Sequence, residues 1–264
     1  MSDITIPEVV LEAPPAIVLE PAVTRPQTAS VIPGLGQKAL AEFVGTFALI
    51  FIGAGSIVAA VAAGGGAGGA GLVTIAIAHG LVIATMVSAV GHISGAHFNP
   101  AVTAGALVTG KISLSDAGIY LMSQLAGATA AAGLLRMALP ESLWREASLG
   151  TPLLGNGVSP LQGVLIEGVL AFFLVWVVFA TAVDPAGAFG KIAGLAIGFV
   201  VLMDIMMGGP FTGAAMNPAR SFGPALVGGA WADEWVYWVG PIAGGVAAAV
   251  VYQVTMLGRR EVTV

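Results

Sequence analysis

The sequence contains no cysteine and very little charge. Among its 264 residues, 9% are Asp, Glu, Lys or Arg, against roughly 25% in a typical soluble domain. The absence of cysteine excludes disulfides, thiol chemistry and thiolate metal sites. Three histidines without a His/Cys cluster argue against a zinc site, and no basic patch indicates nucleic-acid binding. We therefore expect no metal, no cofactor and no nucleic-acid partner.

Apolar residues make up most of what remains. They account for 57% of the chain, so the expected surroundings are a lipid bilayer. Six apolar stretches each approach the roughly 20 residues that a bilayer-spanning helix needs. They run over about 38–62, 71–91, 115–137, 161–183, 190–208 and 235–257. The sequence therefore predicts an all-α membrane protein with six transmembrane helices.

The two ends of the chain differ from this apolar region. Residues 1–37 carry prolines at positions 7, 14, 15, 21, 26 and 33, a spacing that interrupts any continuous helix. No basic stretch leads into an apolar core with a cleavage site, so this segment is interpreted as a disordered cytoplasmic tail rather than a signal peptide. Residues 258–264 form a short cytoplasmic tail at the other end, which leaves 38–257 as the membrane domain.

Two further apolar segments are too short to cross a membrane. Asn99–Val108 and Asn217–Val227 each have about ten residues, enough for about 15 Å of helix, or half a bilayer. Both segments begin with the same tripeptide, as Asn99-Pro100-Ala101 and Asn217-Pro218-Ala219. Asn is a strong helix N-cap and Pro suits the first turn, so both motifs indicate the start of a helix. These segments are predicted to be re-entrant half-helices.

The two halves of the chain repeat each other. The offset is 118 residues from Asn99 to Asn217 and 125 residues from Glu42 to Glu167. Each copy, about 38–137 and about 161–257, holds three spans and one half-helix. Since three is odd, the second copy enters the membrane from the opposite face, which makes an inverted repeat.

Basic residues predict the orientation. Cytoplasmic loops carry an excess of Lys and Arg, and with the N-terminus inside, six basic residues are cytoplasmic and two are external. The six are Arg25, Lys38, Lys111, Lys191, Arg259 and Arg260, and the two are Arg136 and Arg145. We expect both termini to be cytoplasmic and the protein to be a multi-pass protein of the cell membrane.

Half-helices that enter from opposite faces meet at the midplane with their N-termini facing. Each N-terminus carries a partial positive charge of roughly half an elementary unit, so the centre of such a pore repels cations and hydronium. A passing water would be held through its oxygen by the amides of Asn99 and Asn217. A water held in this way cannot relay a proton along a file. The pattern therefore predicts a passive pore and not an enzyme.

Both motifs resemble the two signature loops of the aquaporins, the major intrinsic protein family. The matching words are Gly95-Ala96-His97-Phe98-Asn99-Pro100-Ala101 and Met216-Asn217-Pro218-Ala219-Arg220-Ser221-Phe222-Gly223-Pro224. The resemblance covers about residues 38–257. It implies a bundle of six tilted helices and two half-helices, assembled as a homotetramer with one pore per subunit and with water as cargo.

The resemblance also implies a selectivity filter. It consists of His79, Ile205, Ala214 and Arg220, with Arg220 as the cation of the second half-helix. A filter that begins His-Ile is similar to the plant tonoplast type, whose members often admit ammonia, urea or hydrogen peroxide beside water. The cysteine that makes some members sensitive to mercury is absent, because Ala214 occupies its position. A glycerol-type facilitator is a poorer match, since Ser221 stands where glycerol channels place Asp.

Three ionisable residues are assigned to loop support on the same resemblance. Glu42 and Glu167 are expected to accept hydrogen bonds from backbone N–H groups of the re-entrant loops, and His97 to brace the first loop. The alternative is a proton-coupled inverted-repeat transporter in which these two carboxylates carry the coupling proton. Asp204 fits neither scheme, and we consider either a cation-attracting charge near the outer mouth or a partner for Arg220.

Overall fold

The computed structural model describes residues 33–66, 68–187 and 192–257. Most of the N-terminal tail, the whole C-terminal tail, and the basic residues Arg25, Lys191, Arg259 and Arg260 used for the orientation lie outside the described residues.

The described part of the chain contains nine helices and one 3-10 turn, Ser148–Gly150, and six of the nine helices are long and apolar enough to cross a membrane. The six are α1 (Leu35–Ala62), α2 (Ala70–Ser94), α4 (Leu114–Ala138), α6 (Pro160–Val183), α7 (Ala193–Thr212) and α9 (Val236–Leu257). The three shorter helices are α3 (Pro100–Val108), α5 (Glu141–Glu146) and α8 (Pro218–Gly228). The predicted class, six spanning helices with two half-helices, is confirmed.

The structure extends several helices beyond their predicted bounds, most clearly at the start of α1 and the end of α7. Helix α1 begins at Leu35 rather than at residue 38. Helix α7 continues through Pro210 to Thr212, where the prediction stopped at residue 208. A proline removes only one backbone donor, and within a bundle the neighbouring helices can tolerate that loss. The helix ends instead at Gly213, whose φ of 78° is the left-handed conformation that favours glycine. The short α5 was not predicted.

Small residues let the spanning helices approach closely. A Cβ on Gly198 of α7 would overlap the carbonyl oxygen of Gly80 on α2, so backbone meets backbone where these two helices cross. Gly194 meets the α2 backbone in the same way, at Ala84. This contact joins a helix of the first repeat to a helix of the second.

The repeat is visible in a second pair of close contacts. A Cβ on Gly127 of α4 would overlap the Phe43 carbonyl oxygen of α1, and one on Gly244 of α9 would overlap the Gly168 carbonyl oxygen of α6. Phe43 and Gly168 are 125 residues apart, and Gly127 and Gly244 are 117 residues apart. The first and third spans of each half are therefore packed alike.

Each half-helix packs against a spanning helix of the other half. Helix α3 lies mainly against α9, and α8 lies mainly against α4. This exchange ties the two halves together and directs the N-termini of α3 and α8 toward each other in the interior. The functional site is built at this meeting point.

Candidate functional site

The two half-helices are capped by the asparagines of the repeated motif. Asn99 Oδ1 accepts from the Ala101 N–H at 2.8 Å, and Asn217 Oδ1 accepts from the N–H groups of Ala219 at 3.0 Å and Arg220 at 3.3 Å. Both caps have extended backbone, as N-cap residues do. Pro100 and Pro218 occupy the first helical position of α3 and α8, where a missing N–H costs nothing.

Hydrogen bonds also cross between the two loops. Asn99 Nδ2 donates to the Met216 carbonyl at 2.9 Å, and Asn217 Nδ2 donates to the Phe98 carbonyl at 2.9 Å. Because an amide nitrogen has two hydrogens, each asparagine keeps a second donor after this bond. The two helix N-termini are thereby joined, with one spare N–H from each side.

A buried carboxylate holds the loop in front of α3. Glu42 of α1 accepts from the His97 N–H at 2.9 Å and the Phe98 N–H at 2.7 Å, and also from Ser94 Oγ and Gln124 Nε2. It is fully buried, so these donors replace the water that a carboxylate otherwise needs. His97 lies beside it, with its Nδ1 at 3.1 Å from Thr103 Oγ1.

The loop in front of α8 has the same arrangement. Glu167 of α6 accepts from the Ala215 N–H at 2.9 Å, the Met216 N–H at 2.6 Å and Thr212 Oγ1 at 2.7 Å. Glu167 is also fully buried. Each carboxylate therefore satisfies backbone donors that face no water.

The sequence analysis missed two further pairs of supporting residues. Ser94 and Thr212 each bridge a carboxylate to a loop N–H, since they also accept from Ala96 and Ala214. Tyr120 and Tyr237 donate to the Ser94 and Thr212 carbonyls at 2.7 Å and 2.9 Å. Ser94 and Thr212 are 118 residues apart, as are the two asparagines. The repeat offset would have found this pair.

Both loops adopt the same unusual backbone. Ala96 and Phe98 have φ of 51° and 50°, and their repeat equivalents Ala214 and Met216 have φ of 47° and 54°. For residues other than glycine this left-handed conformation costs roughly 1–2 kcal/mol each. Such strain persists only where surrounding contacts enforce it, and the bonds to Glu42 and Glu167 provide that enforcement.

A narrow cavity lies between the half-helices and the spanning helices. Its volume, measured for the centres of water-sized spheres, is about 40 Å³. By that measure one water needs roughly 10–15 Å³, so the space fits a short file of about three waters. Its lining includes Asn99, Asn217, His97 and mostly apolar side chains of the spanning helices. Four motif residues lie behind this lining, packed in the first turns of α3 and α8: Pro100, Ala101, Pro218 and Ala219.

All four residues assigned to the filter line this cavity: His79, Ile205, Ala214 and Arg220. His79 Nδ1 lies 2.9 Å from the Ile75 carbonyl. A carbonyl can only accept, so in the neutral ring Nδ1 carries the proton and Nε2 is left as an acceptor. Arg220 Nη2 lies 3.4 Å from that Nε2, so the two filter side chains touch.

Arg220 is positioned by a loop that the sequence analysis did not consider. Its Nη1 donates to the Gly150 carbonyl at 2.7 Å, while its Nε has no hydrogen-bond partner among the described residues. Gly150 follows α5 with a φ of 73°, a conformation suited to glycine. This loop and α2 hold the guanidinium from two sides.

Asp204 is not the partner of Arg220. It is buried in α7 but does not line the cavity, and no ion pair with Arg220 is found among the described residues. Its Oδ2 has no hydrogen-bond partner there. We have no physical account of this carboxyl group.

Glu234, in the connection between α8 and α9, is a further residue that the sequence analysis missed. Its Oε1 accepts from Ser221 Oγ at 2.7 Å and from Trp238 Nε1 at 3.3 Å. Ser221 directly follows Arg220, so Glu234 ties α8 to the start of α9. Burial raises the pKa of Glu234 above its ordinary value of 4.5, against these hydrogen bonds and the Arg220 charge, which lower it.

A helical bundle in which two half-helices meet end to end at a narrow cavity is the architecture of a multi-pass membrane channel. The family model described as Major intrinsic protein matches residues 31–252. Aquaporin TIP4-4 from Zea mays is 50% identical over 223 residues, covering 83% of this chain and 86% of that relative. The chain belongs to the major intrinsic protein family.

Other similar proteins agree with this assignment. Probable aquaporin TIP3-2 from Arabidopsis thaliana is 47% identical over 226 residues, which is 82% of each chain. The X-ray structure of the aquaglyceroporin from Plasmodium falciparum matches with a TM-score of 0.73 over 85% of this chain and 98% of that one. At 22% identity this second similarity shows the fold alone.

The raised pKa of Glu234 predicts a pH-dependent stability. A carboxyl group whose folded pKa lies above its unfolded value contributes stability that is full below the unfolded pKa and is lost as pH rises through the folded one. Glu234→Gln keeps an acceptor for Ser221 and Trp238 but does not ionise. The Tm of the detergent-purified variant should therefore increase relative to the Tm of wild type as pH rises above about 4.5. A Tm difference that is flat with pH would contradict the burial argument.

Proposed function

We propose that the protein is a passive water channel that excludes protons and ions. The observation that carries this proposal is the joined pair of helix N-termini, with Asn99 and Asn217 facing one narrow cavity. Helix N-termini bring partial positive charge to the cavity without any ionised side chain. The volume of the cavity fits a short file of about three waters.

Water orientation follows from the asparagine donors. Each Nδ2 uses one hydrogen in the crossed bond and keeps one for a passing water oxygen. A water that accepts from both asparagines turns its own hydrogens away from the midplane, toward opposite ends of the file. Because the facing wall is mostly apolar, the neighbouring waters cannot pass a proton through this point.

The filter adds a second barrier on one side of the midplane. The Arg220 guanidinium is a fixed positive charge beside His79, so it opposes cations. The small Ala214 and aliphatic Ile205 set the width of this region. We therefore propose that ammonia, urea and hydrogen peroxide are further cargo, as in channels with similar filters.

The proton-coupled transporter is not favoured by the geometry. Glu42 and Glu167 are saturated with donors and do not line the cavity. A coupling carboxylate must meet the solute, whereas these two hold loops. No observation on the described residues favours a glycerol-type facilitator. The position where glycerol channels have Asp is occupied here by Ser221, which donates a hydrogen bond to Glu234.

Assembly and location are also proposals. We propose a homotetramer with one pore per subunit, with both termini cytoplasmic and no enzymatic activity. Lys38 and Asp116 form an ion pair of 3.2 Å at the starts of α1 and α4, which puts these helix ends on one face as the orientation requires. The relatives carry TIP names and lend no support to the cell membrane, so the protein is placed only as a multi-pass membrane protein.

Stopped-flow light scattering on proteoliposomes tests the function. An osmotic step with an impermeant solute should shrink wild-type vesicles much faster than empty ones, with a low activation energy. Shrinkage no faster than that of empty vesicles, in correctly folded protein, would contradict the water channel. The same step with urea as the osmotic solute measures whether urea also passes.

The Arg220→Ala variant should have a urea permeability about tenfold higher than wild type, the effect of lowering a barrier by roughly 1.4 kcal/mol. Its water permeability should change less.

Mercury offers a direct test of the filter wall, because the chain has no cysteine. Wild-type water flow should be insensitive to micromolar mercury. Ala214→Cys should place a thiolate at the cavity, so mercury should block most of the flow and a thiol reductant should restore it. Leu226→Cys is the matched control, since Leu226 lies in α8, the half-helix that follows the Ala214 loop, but is exposed on the protein surface and does not line the cavity. Equal mercury block of both variants would contradict the assignment of Ala214 to the filter.

A further inference from the structure

The helix that packs against His79 has a glycine, Gly53, at the point of contact with the imidazole. Gly53 lies in the π-helical segment Leu49–Ala54 inside α1, a type of helical irregularity that is frequent at functional sites. A Cβ added to Gly53 would lie 2.6 Å from His79 Nε2 and 2.7 Å from His79 Cδ2. These are well inside van der Waals contact. The imidazole of His79 therefore occupies the volume that a side chain at position 53 would fill.

The direction in which His79 would yield follows from what surrounds it. Gly53 is buried and does not line the cavity, whereas His79 does. Seen from the cavity, Gly53 thus lies behind the ring. The atoms that a methyl group would meet are the outer atoms of a side chain, which can rotate more easily than the backbone of α1 or α2 can shift. A methyl group would push the ring forward, into the cavity and toward Arg220, whose Nη2 already lies 3.4 Å away.

We propose that Gly53 is a specificity-determining residue, because its missing side chain sets how far His79 projects into the pore. This inference rests on the proposed role of His79 in the filter. Three helices and a loop then decide the width at this point. Helix α7 supplies Ile205 and the loop before α8 supplies Ala214, while α2 supplies His79 and α1 the recess that accepts its imidazole. The identity of residue 53 controls the aperture although residue 53 touches no solute.

Gly53→Ala tests the inference in the same proteoliposomes. The ring displacement should reduce flow more for larger solutes: urea permeability should fall by about tenfold or more and water permeability by less than about threefold, as expected when a methyl group is inserted into a filled space. If wild type excludes urea, the loss is measured on water alone.

Gly55→Ala is the matched control. It lies two residues further along α1, and its Cβ would meet Leu135 Cδ2 at 3.2 Å, away from His79. It should leave both permeabilities within about twofold of wild type, because that contact needs only a small adjustment. Both variants are checked first for monodisperse, thermally stable protein. A loss of urea flow as large in Gly55→Ala as in Gly53→Ala would overturn the proposal.

A double substitution separates the filter from general packing. In a His79→Ala background no ring remains to be displaced, so Gly53→Ala should no longer reduce urea or water flow. An undiminished reduction in that background would show that Gly53 acts through helix packing and would overturn the inference while leaving the filter intact. If His79→Ala alone altered neither urea nor water flow, the role of His79 in the filter would fail, and this inference with it.

Discussion

The structure depends on the pair of crossed hydrogen bonds between Asn99 and the Met216 carbonyl and between Asn217 and the Phe98 carbonyl. They join two helix N-termini whose partial positive charges oppose each other. The buried carboxylates of Glu42 and Glu167 sit beneath the loops that lead into those termini, where negative charge is stabilising. Each carboxylate also accepts two loop N–H groups that no water reaches. A charge arrangement that would otherwise be unstable is thus held without placing either carboxylate on the cavity wall.

The residues that the two repeats share and the residues in which they differ have different functions. The repeated parts, the asparagines, carboxylates and left-handed loop residues, build the midplane equally from both faces. The proposed filter arises where the repeat fails: Arg220 stands 118 residues after Val102, which has no charge. Contacts that support Arg220, from Gly150 and His79, have no counterpart around α3 among the described residues. In the proposed channel the midplane barrier is therefore symmetric, and the selectivity barrier lies on one side.

The sequence predicted the fold because its signals are local. Six apolar runs and two short segments headed by Asn-Pro determine the number and kind of helices, and the odd number of spans in each copy determines the inversion. The end of α7 was missed because Pro210 disfavours a helix locally while the bundle tolerates it. The support from Ser94 and Thr212 could have been found from the repeat offset of the asparagines.

Other parts of the site could not be predicted. The contact of Gly150 with Arg220 spans 70 residues, and that of Glu234 with Ser221 depends on how an irregular connection folds back. Neither contact leaves a periodic pattern in the sequence. The recess at Gly53 is a further example, because a glycine in a helix predicts close packing but not its partner. Asp204 is the reverse case: its carboxyl group was noticed in the sequence, yet the structure does not pair it with Arg220.

Proton flux through the midplane tests the central claim most directly. It is measured with a pH-sensitive dye inside proteoliposomes under an imposed potential, for wild type and for the double variant Asn99→Asp with Asn217→Asp. Aspartate caps a helix as well as asparagine does, but it donates no hydrogen bond and brings negative charge. We expect wild type to leak no faster than empty vesicles, and the double variant, if folded, to leak about tenfold faster or more, the factor for a barrier lowered by roughly 1.4 kcal/mol. A wild-type leak, or a folded double variant as tight as wild type, would contradict the account.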